Sequence, residues 1–320
     1  MQTLCNDKLP IGMVVGPTAS GKTAFAVELA KLLDAEIVSA DSIQIYRGMD
    51  IGSAKPTIEE MQGIPHHLMD YVEMNDASFS VAEYQKQAFA AIDDIAARGK
   101  FPLVVGGTGL YINALTYPLH FTEIPADKEL RTALEESEAQ APGALWLRLQ
   151  EIDPATAMRL HPNDKKRIIR AIEVYELTGK PLSEHGDDFS NESCEPIRYS
   201  PRIIGITMPR ETLYARIDRR VDEMMERGLL EEVSALRSKG CKDESPAMQG
   251  LGYRQLLAHL DGTCELDEAV ERIKRETRHF AKRQMTWFRR DKRIHWIDFG
   301  ETDRIKALEY ARRVLEGMED

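Results

Sequence analysis

The chain has 320 residues, 42 % of them hydrophobic and 30 % charged, with a formal net charge of −11. Length and composition describe a globular protein of one large domain with an insertion, or two modest domains, and exclude a fibrous or globally disordered chain. The negative total excludes non-specific coating of nucleic acid, so binding of that kind must rest on a local patch.

Residues 1–10 lack the basic-then-apolar pattern of a signal peptide, and nowhere do 18 apolar residues run together, so a cytoplasmic protein without a membrane partner is expected. Short apolar runs at 11–15, 36–39, 101–105, 202–207 and 293–297 predict strands. Their near-continuous Ile and Val content without alternation is that of strands covered on both faces, hence a parallel sheet. Between the first two lies a helical pattern at 24–33, in which Ala26, Leu29, Ala30 and Leu33 recur at three and four residues. The fold class is therefore α/β, a P-loop parallel-sheet core with a helical insertion domain. The predicted organisation is core 1–120, insertion 121–196 with helices at 128–139 and 165–177, core again at 197–300, and a surface helix within 301–320. A second helical block is predicted at 211–241.

The first predicted strand is followed by Gly16, Pro17, Thr18, Ala19, Ser20, Gly21, Lys22 and Thr23, which fit the P-loop pattern G-x-x-x-x-G-K-[ST]. The chemistry needs this spacing. Glycines let backbone N–H groups curl around phosphate oxygens, the following helix adds positive potential, Lys22 reaches the outer phosphate and Thr23 ligates Mg²⁺. No Asn-Lys-x-Asp motif for reading guanine is present, and the third predicted strand ends in Gly106-Gly107-Thr108-Gly109 rather than a Walker-B aspartate, which disfavours switch and motor NTPases.

The second predicted strand ends at Asp41, on the sheet edge where open α/β folds bind ligands. A carboxylate beside a phosphate cradle can accept a proton or help hold Mg²⁺; it can also merely cap the next turn. The glycine turn at 106–109 allows close backbone approach, with Thr108 offering a hydroxyl. His66 and His67 have no ligand partners at metal spacing and are read as structural. Cys5, Cys194, Cys241 and Cys264 lie far apart and are read as reduced thiols.

Residues 272–293 hold ten Lys or Arg against Glu276 and Asp291. On a helix over 267–289, Val270, Ile273, Thr277, Phe280, Gln284 and Phe288 share one face at 100° per residue, and Arg275, Arg278, Lys282 and Arg289 share the opposite one. This predicts a solvent-facing cationic ridge about 20 Å long, suited to consecutive phosphates. Lys165, Lys166, Arg167 and Arg170 add basic groups in the insertion.

These residues together resemble the bacterial tRNA dimethylallyltransferases. The resemblance runs from residue 16 to about 299, on the P-loop and on residues 39–46, 50–56, 106–111, 163–171, 250–255 and 282–289. It implies transfer of a dimethylallyl group from dimethylallyl diphosphate to the exocyclic amine of the adenine 3′ of the anticodon. The P-loop, Arg216 and Arg220 would hold the diphosphate with Mg²⁺, Asp41 would take the proton, and Thr108 would bond near the reacting groups. By the same resemblance Asp41, Ser42, Ile43, Gln44 and Thr108 contact the tRNA anticodon stem-loop. So do Arg131, Lys166, Arg167, Ile168, Ile169 and Arg170 in the insertion, and Gly252, Arg254, Arg275, Arg278, Lys282, Arg283 and Arg289 in the core. Lys166 departs from the Gln that many relatives carry. A monomer is expected. The rivals are a P-loop small-molecule kinase and a nucleotide-gated RNA-binding protein; the cationic helix disfavours the first, and Asp41 on the binding edge disfavours the second.

Overall fold

The computed structural model describes residues 8–76, 78–117, 119, 124, 127–185 and 198–318. Two compact units divide the chain, Met1–Thr116 with Pro196–Asp320, and Tyr117–Glu195. The insertion therefore starts a few residues before the expected position 121. Residues 301–320 belong to the first unit rather than standing apart.

In the first unit the order is β1 (Leu9–Val15), α1 (Lys22–Leu32), β2 (Ala35–Ala40), α2 (Ile58–Met61), β3 (His66–His67), α3 (Val81–Ala97), β4 (Phe101–Gly106) and α4 (Gly109–Thr116). The second unit contributes α5 (Lys128–Gln140), α6 (Ala144–Ile152), α7 (Pro154–Arg159) and α8 (Lys165–Thr178). The first then resumes with β5 (Tyr199–Thr207), α9 (Arg210–Glu226), α10 (Leu229–Ser238), α11 (Tyr253–Leu260), α12 (Leu266–Phe288), β6 (Ile294–Asp298) and α13 (Arg304–Glu316). All six strands pair in parallel, in the order β3-β2-β4-β1-β5-β6.

The five expected strands are present, and the two-residue β3 adds an edge that His66-His67 did not announce. The block expected at 211–241 is two helices, because Gly228 takes φ +93° and ends the first run. Both sheet faces are covered. Tyr84, Ala88, Ile92 and Ile95 of α3 recur at three and four residues and pack with Ile112 and Leu115 of α4 on one face. On the other, Phe25, Ala26 and Leu29 of α1 meet Ala307, Ala311, Val314 and Leu315 of α13, so the C-terminal helix lies on the surface with one face packed into this layer. Each fully buried aliphatic side chain contributes about 1.5–3 kcal/mol of transfer free energy. An Asp at Ile92, at the centre of α3, would leave an unpaired charge in that layer.

Register positions the site. Val15 pairs with Gly106 and Gly205, and Ala40 pairs with Gly106, so the segments leaving β1, β2 and β4 start level with one another. A Cβ at Gly106 would lie 2.1 Å from the Ala40 carbonyl oxygen, which is why glycine ends that strand.

The second unit has its own core, built from Leu134, Leu145, Leu149, Ala157, Ile168, Ile169 and Ile172. Cys5 and Cys194 lie outside the described residues; Cys241 is a buried free thiol and Cys264 a partly buried one.

Candidate active site

The segment between β1 and α1 curls back on itself as a phosphate cradle must. Gly21, the N-cap of α1, has φ +86°, a conformation that L side chains rarely adopt. The curl opens on a cleft lined by Thr18, Lys22, Thr23, Asp41, Gln44 and Arg220 among others, so the two sheet-edge motifs and helix α9 share one space.

Lys22 donates to the Pro17 carbonyl at 2.7 Å. Burial pushes its ammonium down to about 8, against the partly offsetting charge of Asp41 and with Arg220 pushing it further down. Arg220 donates to the Thr18 hydroxyl at 3.5 Å. Arg216, one turn earlier on α9, lies beside Gly21, its Nη1 3.8 Å from where a Cβ would stand. Lys22 and Arg220 thus line the cavity and Arg216 stands beside the cradle, a cationic set suited to phosphate oxygens.

Asp41 both caps and faces the cavity. Its Oδ1 accepts from the backbone N–H of Ile43 at 2.9 Å and of Gln44 at 3.3 Å. These bonds fix the carboxylate's direction and leave Oδ2 outside that turn. The Thr108 hydroxyl accepts from the Ser42 N–H at 3.1 Å, so it braces the Asp41 turn. Gln44 is held by the Ser53 and Ala54 carbonyls at 3.3 and 3.1 Å. Ser42 and Ile43 are half-buried neighbours of that turn.

Two features of the cavity were missed in the sequence. His66 lines it, with Nδ1 2.8 Å from the Ile64 carbonyl; burial holds the imidazole below its ordinary range, and its buried Nε2 has no partner. His67 turns to Glu36 instead, its Nε2 lying 2.7 Å from that carboxylate. Gln284, assigned to the apolar stripe of α12, instead joins the P-loop to the turn after β4: its Oε1 accepts from the Thr18 N–H and its Nε2 donates to the Gly107 carbonyl, each at 2.9 Å. Both were invisible because they depend on contacts far apart in sequence. A further carboxylate, Glu232 on α10, accepts from the N–H groups of Asp50, Ile51 and Gly52 at 2.9, 2.7 and 3.1 Å and from the Tyr253 hydroxyl at 2.7 Å. It fixes the loop whose Ser53 and Pro56 also wall the cavity.

The cationic ridge needs correction at one position. Arg275, Lys282, Arg283 and Arg289 are exposed, but Arg278 is half-buried and ion-paired with Asp218 of α9. The buried stripe of α12 runs through Ala269, Ile273, Ala281, Gln284 and Phe288, while Phe280 turns to the cavity. Arg254 pairs with Glu276, and Gly252 caps α11, its N–H bonded to the Gln255 side chain at 2.9 Å.

Within the second unit, Ile168 and Ile169 are buried in the core, so their side chains are not available as RNA contacts. Glu173, fully buried, takes both Nε and Nη2 of Arg131 at 2.8 Å and Nη1 of Arg170 at 2.6 Å. These two arginines are therefore structural partners of one carboxylate with part of each head exposed. Arg167, ion-paired with Asp164, and Lys166 are exposed on the first turn of α8. Among the described residues no three His, Cys, Asp or Glu side chains gather as a metal site.

A central parallel strand feeding a P-loop, with a carboxylate and paired arginines on the same edge, defines a phosphate-handling α/β enzyme. The IPP transferase family model matches residues 44–291, and the chain belongs to that family. It is 51 % identical over 304 residues to a tRNA dimethylallyltransferase of Acetivibrio thermocellus, covering 93 % of this chain and 96 % of that one. To a protein of the same name from Symbiobacterium thermophilum it is 51 % identical over 310 residues, covering 96 % and 95 %. The full-length tRNA isopentenylpyrophosphate transferase of Bacillus halodurans superposes with a TM-score of 0.72 at 42 % identity, covering 97 % and 96 %. A eukaryotic dimethylallyltransferase captured in crystallographic snapshots acting on tRNA gives a TM-score of 0.76 at 29 % identity, covering 92 % of this chain and 74 % of that one.

Proposed function

We propose that this protein is a tRNA dimethylallyltransferase. It transfers the five-carbon group of dimethylallyl diphosphate to the exocyclic amine of the adenine 3′-adjacent to the anticodon and releases diphosphate. The observation that carries the reading is the shared cavity in which Lys22, Thr23 and Arg220 oppose Asp41. In the transfer the allylic C–O bond breaks, its electron pair leaves with the diphosphate, a C–N bond forms, and the amine proton passes to Asp41. That amine is a weak nucleophile because its lone pair is delocalised into the ring, so a fixed carboxylate assists where no metal-activated nucleophile is needed. Lys22, Arg216 and Arg220 stabilise charge as it accumulates on the leaving group.

Thr23, beside Lys22 on the cavity wall, suits Mg²⁺: it supplies one hydroxyl, and the remaining ligands would be diphosphate oxygens and water. The ion would neutralise part of the diphosphate charge. The target adenine lies in a loop, where unstacking it is cheaper than in a duplex. Exposed Arg275, Lys282, Arg283 and Arg289 of α12, with Lys166 and Arg167 of α8, are the cations we assign to tRNA phosphates. We take the protein to act as a monomer. No helix among the described residues is long and apolar enough to cross a membrane, and the substrate tRNA points to the cytoplasm.

Incubation with unmodified tRNA, isotope-labelled dimethylallyl diphosphate and Mg²⁺ should place the label on that adenine. Phosphorylation of a small acceptor from ATP, with no label in tRNA, would favour the kinase instead.

A further inference from the structure

Gln284 is 7 % exposed, and its amide makes two bonds of opposite polarity to two loops of the phosphate site. β1 and β4 are paired as far as Val15 and Gly106, but the segments beyond leave the ladder and need another tie. The Thr18 N–H supplies one end and the Gly107 carbonyl the other. A Cβ at Gly107 would lie 2.3 Å from Gln284 Nε2, so glycine there leaves the room that the amide fills. We propose that Gln284 is a positioning residue of the transfer reaction, its amide setting the spacing between the P-loop and the turn after β4 so that the diphosphate meets a preformed cradle. This assignment rests on the transferase reading above.

The bonding pattern requires one acceptor and one donor on a planar head. A carboxylate accepts only, and a thioether supplies neither strongly, whereas a protonated carboxylic acid again offers one of each. Gln284→Met should therefore raise the KM for dimethylallyl diphosphate about tenfold, the loss of roughly one net hydrogen bond, with the KM for tRNA unchanged. Gln284→Glu should be as impaired near pH 8 and recover toward wild type only as the pH is lowered to about 4.3, the ordinary carboxyl value, where the new side chain takes up a proton. The titratable and charged groups sharing its cavity are Lys22 on α1, Asp41 after β2, His66 on β3 and Arg220 on α9. The ratio of variant to wild type over the same range removes their contribution.

Pyrophosphate binding by calorimetry accompanies the kinetics. If wild type binds pyrophosphate and Gln284→Met binds it equally well, the positioning role is overturned while the transferase reading stands. Equal rises in both KM values, or no recovery of Gln284→Glu at lower pH, overturn it as well. Failure of wild type to bind pyrophosphate overturns the transferase reading and this assignment with it. Should Gln284→Met fail to fold, the pH profile of Gln284→Glu decides the matter alone.

Discussion

On the proposed function, Lys22 couples diphosphate binding to pH in a way that can be measured without tRNA. Burial holds its ammonium at about 8, below the ordinary 10.5. With that value about nine-tenths of the free protein carries the charge at pH 7 and about one-tenth at pH 9. A diphosphate docking against Nζ favours the charged form, so the bound value lies higher than the free one. Affinity should accordingly hold steady below pH 8 and fall by about tenfold between pH 7 and 9, with net proton uptake on binding above pH 8. Calorimetric titration with pyrophosphate, in two buffers of different ionisation enthalpy, reads both quantities. Lys22→Arg is the reference, because a guanidinium does not titrate in this range. Dividing the two curves cancels the ionisation of pyrophosphate itself. Parallel curves for wild type and Lys22→Arg, or no proton uptake at pH 9, would refute the reasoning.

Asp41→Asn keeps an oxygen for the Ile43 and Gln44 N–H groups, so tRNA affinity should persist while single-turnover transfer slows by about 10² to 10⁴; near-normal turnover would remove Asp41 as the base. Lys282→Ala should flatten the slope of log affinity for tRNA against log salt by about 0.7–0.9. Arg278→Ala should change it less, because Asp218 already neutralises that guanidinium; equal flattening in filter-binding titrations would show that Arg278 leaves Asp218 for the RNA. Glu36 is held down to about 2, chiefly by hydrogen bonds from Arg98, with His67 adding to the effect against the opposing cost of burial. Its lowered folded value means that the stabilisation is complete above the unfolded value of 4.5 and is lost as pH falls from there toward 2. Glu36→Gln should therefore lower the melting temperature at pH 7 and flatten its decline below pH 4.5. A variant with the wild-type acid profile would show that the pair contributes nothing.

The P-loop and the Asp41 turn were legible because each is a local string whose spacing is dictated by one ligand. The parallel sheet was legible because strands buried on both faces leave continuous apolar runs. Gln284 was not, since its position on a helical wheel is that of a core residue and only the fold shows what the core there consists of. Arg278 illustrates the converse. A periodicity argument sees a cation on an outer face but not Asp218 arriving from another helix, and a family resemblance carries Arg131 over without showing Glu173 beside it. His66 gave no sign of its place because metal spacing was the only test a pair of histidines invites, whereas its position on the cavity wall depends on β3 joining the sheet edge beside Ile37.

The position of β1 has a consequence for biosynthesis. This strand is made before both of its neighbours, yet it lies between β4, which begins at Phe101, and β5, which begins at Tyr199 after the whole insertion. While a ribosome is still translating the second unit, β1 can pair on only one side, and its other edge of N–H and C=O groups stays open. Such non-local pairing is slow to form and exposed while it waits. The self-contained core of the insertion gives the nascent chain a unit that can fold during that interval, before the phosphate cradle acquires its second wall.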